Sequence, residues 1–203
     1  MTLTIFGSPR SRTMRTLWMA EELGLDYEHV PVAWDDPRLK AAEFLRINSA
    51  GAVPAIVHDG FGLGESLAIN LYLAKMFGSA GDAPMYPTEP RAEAQAWQWT
   101  LFAQAHLEPW VRRDGGQPVY EGLMSEFALT EAHHALTRLD ATLAQREWLV
   151  GDHFTVADFN VACVLSPSRT NSLDMTAHRP TMAWLSRCYG RPAAISARSK
   201  FAG

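Results

Sequence analysis

Cysteine is scarce in this sequence: Cys163 and Cys188 are the only two in 203 residues. They form no Cys-x-x-Cys pair and no Cys/His ligand spacing, which argues against a disulfide framework, a redox dithiol and a zinc site. Both lie in apolar helical stretches and read as buried structural thiols. The seven histidines are scattered. The adjacent pair His133-His134 would point about 100° apart on a helix, so it is no chelating pair, and no metal is expected. Long apolar runs are missing too; none approaches the roughly 20 residues that span a bilayer. Residues 1–6 lead straight into a strand pattern, with no basic start and no apolar core of a signal peptide, so a cytoplasmic protein without membrane partners is expected. Basic excess is absent as well. Eighteen Lys and Arg against 22 Asp and Glu give a net charge of -4, which speaks against a nucleic-acid partner. There are no internal repeats and no low-complexity segments.

The composition that remains, 47% hydrophobic and 20% charged, is that of a globular protein of one large or two small domains. Basic residues gather locally at Arg10, Arg12 and Arg15, then at Arg38, Lys40 and Arg46. Such clusters mark a solvated face or a site for a small anion.

Residues 51–66 carry the densest signal. Two β-like runs, 55–57 and 61–63, flank Asp59-Gly60, a strong tight-hairpin pair. Val53-Pro54 precedes the first run and is a candidate cis peptide. Glu65 and Ser66 follow the second run and open an apolar helix over 67–76. A bend before a strand leaves backbone groups free to pair with an extended ligand, and a helix start suits a carboxylate. Ser66 adds a hydroxyl there, and Glu65 suits an ammonium. An ordinary hairpin with an ordinary cap is the alternative.

Along the chain, residues 2–6 read as a strand, 12–23 as a helix stopped by Gly24, and 27–32 as a strand that Pro31 confines to a sheet edge. A short helix over 41–47, the hairpin and the helix from Ser66 complete a βαβαββα order. This is a thioredoxin-like α/β domain over 1–78, with strands one and two parallel and the hairpin antiparallel. Small residues mark a linker over 79–87. An all-helical domain is expected over 88–203. Its first helix is capped by Thr88, runs to about Arg113, and carries Trp97, Trp99, Leu101, Phe102, His106 and Trp110. A second runs from about Tyr120 to Arg146. Thr155 and Asp158 have capping-box spacing, with Phe154 and Phe159 in the staple positions, so Asp158 is structural rather than catalytic. An apolar helix follows, central to this domain, and then two short closing helices.

Taken in order, the first loop Gly7-Ser8-Pro9-Arg10-Ser11, the stretch 48–55 around Val53-Pro54, Glu65-Ser66-Leu67-Ala68-Ile69 and the stretch 151–158 resemble the cytosolic-type glutathione transferases, in a bacterial, theta- or phi-like variety with a serine in the first loop. The resemblance covers essentially the whole chain. It implies a homodimer that uses glutathione as co-substrate and a small hydrophobic electrophile as second substrate. By the same resemblance Ser11 is the catalytic residue, Val53 pairs through its backbone with the cysteinyl part, and Pro54 is the cis-proline. Glu65 and Ser66 hold the γ-glutamyl end, and Lys40 meets the glycyl carboxylate. Ala52 stands where a glutamine is common, so one side-chain contact is missing. The first loop has no cysteine, which argues against the thiol-transfer and isomerase branches.

The chemistry fits these residues. A thiol of pKa about 8.5 is mostly protonated at pH 7, so conjugation needs a stabilised thiolate. Ser11 at the first helix is suited to donate its O–H to sulfur, with helix-end N–H groups adding positive potential. A plain helix cap is the other reading of Ser11, and Ser8, Arg12 and Thr13 compete for its role. Arg12 is also a substrate-binding candidate as a neighbouring cation. Trp99, Phe102, His106 and Trp110 are candidates for an electrophile pocket, expected between the domains, or for core. The leading activity is conjugation; glutathione-dependent peroxide reduction and a non-catalytic glutathione-binding module are the alternatives.

Overall fold

The computed structural model describes residues 2–111, 126–166 and 173–201. The chain divides into two compact units. One joins Met1–Gly78 with the closing segment from Pro192, and the other is Ser79–Arg191.

In the first unit, β1 (Leu3–Phe6) alternates buried and half-buried residues and lies inside a four-stranded sheet of order β2-β1-β3-β4. β2 (Glu28–Val30) pairs parallel to β1, while β3 (Ala55–His58) runs antiparallel to β1 and to β4 (Phe61–Gly64). This is the mixed thioredoxin-like sheet read from the sequence. β2 is shorter than expected: it stops just before Pro31, which has no N–H to donate. Asp59 and Gly60 have φ of 46° and 86°, the paired positive values of a tight hairpin turn. Helix α1 (Thr13–Glu22) is almost wholly buried from Arg15 to Ala20. It ends in a Schellman motif, with Leu25 N–H bonded to Ala20 O and Gly24 N–H to Glu21 O. A 3₁₀ turn (Pro37–Lys40) leads into α2 (Ala42–Ile47), and α3 (Ser66–Phe77) follows the hairpin.

In the second unit, α4 (Pro90–Phe102) is capped by Glu89, whose carboxylate accepts from Ala92 N–H at 2.9 Å. The cap is therefore not Thr88, because Pro90 already occupies the first helical position. Nor does α4 run unbroken to 113. A π-helical turn (Ala103–Leu107) separates it from α5 (Glu108–Val111), and Glu108 N–H reaches back five residues to Ala103 O. Pro109 is the physical reason: it has no N–H for Ala105 O, and its ring crowds the preceding turn. Next comes α6 (Glu126–Leu143), with Leu136, Leu139 and Leu143 buried. The expected helix start near Tyr120 lies outside the described residues.

Every residue of α7 (Val156–Val164) is buried, and its capping box is complete. Asp158 accepts from Leu149 N–H and Trp184 Nε1–H through one oxygen, and from the Thr155 N–H and hydroxyl through the other. Phe154 and Phe159 meet edge to face at 6.4 Å as the staple. Cys163 and Cys188 are buried and are not joined in a disulfide. Helix α8 (Arg179–Tyr189) completes this unit.

The last helix, α9 (Pro192–Lys200), departs from the expectation that everything after residue 88 forms one helical domain. It packs along α1 in the first unit through buried Ala194 and Ala197, whose small side chains allow close approach. Lys200 Nζ bonds Glu21 at 2.7 Å and the Tyr27 hydroxyl at 3.2 Å.

Candidate functional site

Strand register brings three separate stretches to one end of the sheet. Phe6 pairs with Ala55, and Ala55 with Gly64. The chain leaving β1 at Gly7, entering β3 through Val53-Pro54 and leaving β4 at Glu65 therefore does so at the same end.

The first loop is pinned at Gly7. Its N–H donates to Val30 O at 3.0 Å, and its carbonyl accepts from His29 Nε2 at 2.8 Å. Gly7 has φ of 131°, and a Cβ there would lie 2.0 Å from Thr13 Oγ1 and 2.9 Å from Val53 Cβ. Only glycine lets the loop, α1 and Val53 meet. Within the loop, the Ser11 hydroxyl donates to Ser8 O at 2.7 Å and accepts from Thr13 N–H at 3.1 Å. Its oxygen also lies 2.9 Å from Thr13 Oγ1. A hydroxyl has one hydrogen. With that hydrogen on the Ser8 carbonyl, Thr13 must be the donor between the two hydroxyls. Both lone pairs of Ser11 are then occupied, and Ser11 is left only a donor's role. Ser11 is not the helix cap, since Arg12 holds that position in helical geometry with no side-chain cap bond.

The second stretch is held by side chains beneath it. Lys40 Nζ donates to Gly51 O at 2.9 Å and Ala50 O at 3.2 Å. Asn48 Nδ2 donates to Ala52 O, and Asn48 Oδ1 accepts from Ala50 N–H. Two of the three ammonium hydrogens of Lys40 are thus used on backbone. The Val53-Pro54 bond is cis. Pro54 is buried, and Val53 packs on the cluster of Val32, Leu39, Phe44 and Ala55.

At the third stretch, Glu65 is exposed and has φ of 65°, a conformation rare for a residue with a Cβ. It stands at the cap of α3 but makes no side-chain cap bond, so its carboxylate is not spent on the helix. Ser66 is buried and accepts from Arg15 Nη1 at 3.3 Å. In the sequence Arg15 stands out only as part of a basic cluster. Its partner lies 51 residues further on, so no local signal in α1 marks it.

In the second unit, a groove of about 550 Å³ runs along α4 and the π turn. Trp99, Phe102 and His106 border it, with Trp97, Leu101 and Arg138. His106 stacks on Phe102 at 5.7 Å, and the Arg138 guanidinium lies 4.9 Å over the Phe102 ring. Trp110 does not join them; it meets Phe127 edge to face at 5.5 Å. Among the described residues no cluster of three His, Cys, Asp or Glu is arranged to hold a metal, and no helix is long and apolar enough to cross a membrane.

Residues 1–75 match the family model for the glutathione S-transferase N-terminal domain, and residues 99–192 match that for the C-terminal domain. The chain is 32% identical to glutathione S-transferase 3 of Zea mays over 205 residues, covering 94% of this chain and 90% of that one. The chain belongs to the glutathione S-transferase family. A solved glutathione S-transferase of Pseudomonas fluorescens superposes with a TM-score of 0.79 at 27% identity, over 95% of this chain and 97% of that one. Within the family's reach lies also elongation factor 1-gamma of Sus scrofa, 34% identical over 158 residues, which is 74% of this chain and 35% of the other. Membership therefore carries more than one kind of named protein, and the activity of this one rests on its own residues.

Proposed function

We propose that this protein is a glutathione transferase that adds the glutathione thiolate to small hydrophobic electrophiles. The observation that carries the reading is the donor-only hydroxyl of Ser11, held against Thr13, whose Oγ1 and the Val53 Cβ both crowd Gly7. Glutathione has two carboxylates, one ammonium and a thiol. In this reading Val53 pairs through its backbone with the cysteinyl part, Glu65 takes the ammonium, and Ser66 with the start of α3 takes the γ-glutamyl carboxylate. Lys40 and Arg12 supply positive charge for the glycyl carboxylate.

With the tripeptide in place, the thiol gives its proton to solvent water, and Ser11 turns its hydrogen from the Ser8 carbonyl to the sulfur and stabilises the thiolate left behind. Sulfur then attacks the electrophilic carbon, and an S–C bond forms. The displaced electron pair leaves with a leaving group or takes a proton from water. Ser11 removes no proton, because both of its lone pairs are already filled. Trp99, Phe102 and His106 border apolar surface suited to an electrophile.

The elongation-factor relative favours one second reading, a module that binds glutathione without conjugating it. Calorimetry with glutathione, followed by conjugation and peroxide-reduction assays on wild type and Ser11→Ala, separates the cases. Binding with Ser11-dependent conjugation supports the transferase. Peroxide reduction alone supports a peroxidase, binding without turnover supports the module, and no binding overturns the reading.

A further inference from the structure

Arg15 lies in α1, 3% exposed, and its Nη1 is 3.3 Å from the Oγ of Ser66, itself 4% exposed, 51 residues along the chain. A guanidinium carries five N–H donors and no acceptor, so the direction of this bond is fixed: Arg15 donates and Ser66 accepts. The single hydrogen of Ser66 then remains for another acceptor at the start of α3. A carboxylate is the group that best accepts it, because it meets a donor hydroxyl, helix-end N–H groups and a nearby positive charge together. Burial keeps that charge from being screened by salt.

We infer that Arg15 is a positioning residue that fixes Ser66 as a hydrogen donor and makes this end of the site selective for a carboxylate over a neutral group. The inference rests on the proposed glutathione site and adds to it the source of its discrimination. An amide at the same position offers a weaker acceptor and two N–H donors, and Arg15 has nothing to accept them.

The test compares glutathione with an analogue whose γ-glutamyl α-carboxylate is converted to an amide. Wild type is expected to bind glutathione at least tenfold more tightly than the amide. Arg15→Met and the milder, still hydrogen-bonding Arg15→Gln are expected to lose most of that preference by weakening glutathione alone, with amide affinity unchanged within twofold. KM for glutathione should rise while kcat at saturation holds, since Arg15 does not touch sulfur. A wild type that binds both ligands equally overturns the inference without any variant having to fold. Equal weakening of both ligands in the variants, or of neither, overturns it as well. A wild type that binds no glutathione removes the underlying reading instead.

Discussion

The backbone N–H of Thr13 donates to the hydroxyl oxygen of Ser11 at 3.1 Å, and Ser11 stands one residue before the cap of α1 rather than at it. Its oxygen takes up this first helical N–H, while its hydrogen is not used on the helix. Its hydrogen is directed to the Ser8 carbonyl at 2.7 Å.

Ser11→Ala should raise the pKa of bound glutathione by about 1–2 units, since a hydrogen bond to an anion contributes roughly 1.5–3 kcal/mol and each unit is about 1.36 kcal/mol. Affinity for S-hexylglutathione, which has no thiol to ionise, should stay nearly unchanged. Thiolate absorbance against pH for both proteins, with the conjugation rate alongside, checks this. Coincident titration curves and a surviving rate would place sulfur activation elsewhere.

Gly7→Ala should cost about 2 kcal/mol or more of stability, because the new methyl meets Thr13 Oγ1 and Val53 Cβ at a φ that alanine rarely adopts. Glutathione affinity should fall with it, since the same shift displaces Val53. Urea unfolding and calorimetry on one preparation test both effects; wild-type values in both would contradict the packing described at this loop.

Burial pushes the Asp158 carboxyl up from 3.8 to about 6, against the donors from Leu149, Trp184 and Thr155 that pull it back. The folded state then holds this proton more tightly than the unfolded chain does. The resulting stabilisation is complete below about pH 4 and is lost as pH rises through about 6, amounting to roughly 3 kcal/mol at about 1.36 per unit. Plotted as wild type minus Asp158→Asn, unfolding free energy should decline across that window. A gap that stays level from pH 4 to 7 would refute the assignment.

On α9, packing should outweigh the ion pair. Ala197 is fully buried, so Ala197→Leu forces two helices apart and should cost about 1–3 kcal/mol. The side chain of Lys200 is 53% exposed, and Lys200→Ala should cost less than about 1 kcal/mol despite the 2.7 Å contact with Glu21. Melting curves that rank the two the other way would show the charge pair to be the stronger tie.

Phe61, Met76, Trp97 and Leu101 are each about half exposed or more, which leaves apolar surface on both units. Together with the family resemblance this predicts a two-fold homodimer, so light scattering at micromolar concentration should report about twice 22.5 kDa. A mass of one chain would count against it.

What could be read from the sequence was what short-range chemistry encodes. Asp59-Gly60 specified the hairpin because both residues tolerate positive φ, Pro31 kept β2 at an edge because it lacks an N–H, and Thr155 with Asp158 announced α7. The break before Pro109 was equally local, yet the aromatic pattern of α4 hid it. Other features were not local at all. The partnership of Arg15 with Ser66 spans 51 residues, and no periodicity in α1 distinguishes a buried arginine aimed at another helix from one in water. The return of α9 to α1 depends on two alanines whose fit exists only in three dimensions.

That return delays the completion of the first unit during synthesis. Glu21 and Lys200 are separated by 179 residues, so at usual elongation rates of about 5–20 residues per second the partner of α1 leaves the ribosome roughly 10–35 s after α1 does. The whole of Ser79–Arg191 emerges in that interval. Until then the face of α1 that meets Ala194 and Ala197 stays uncovered. The unit that is translated first is the one completed last.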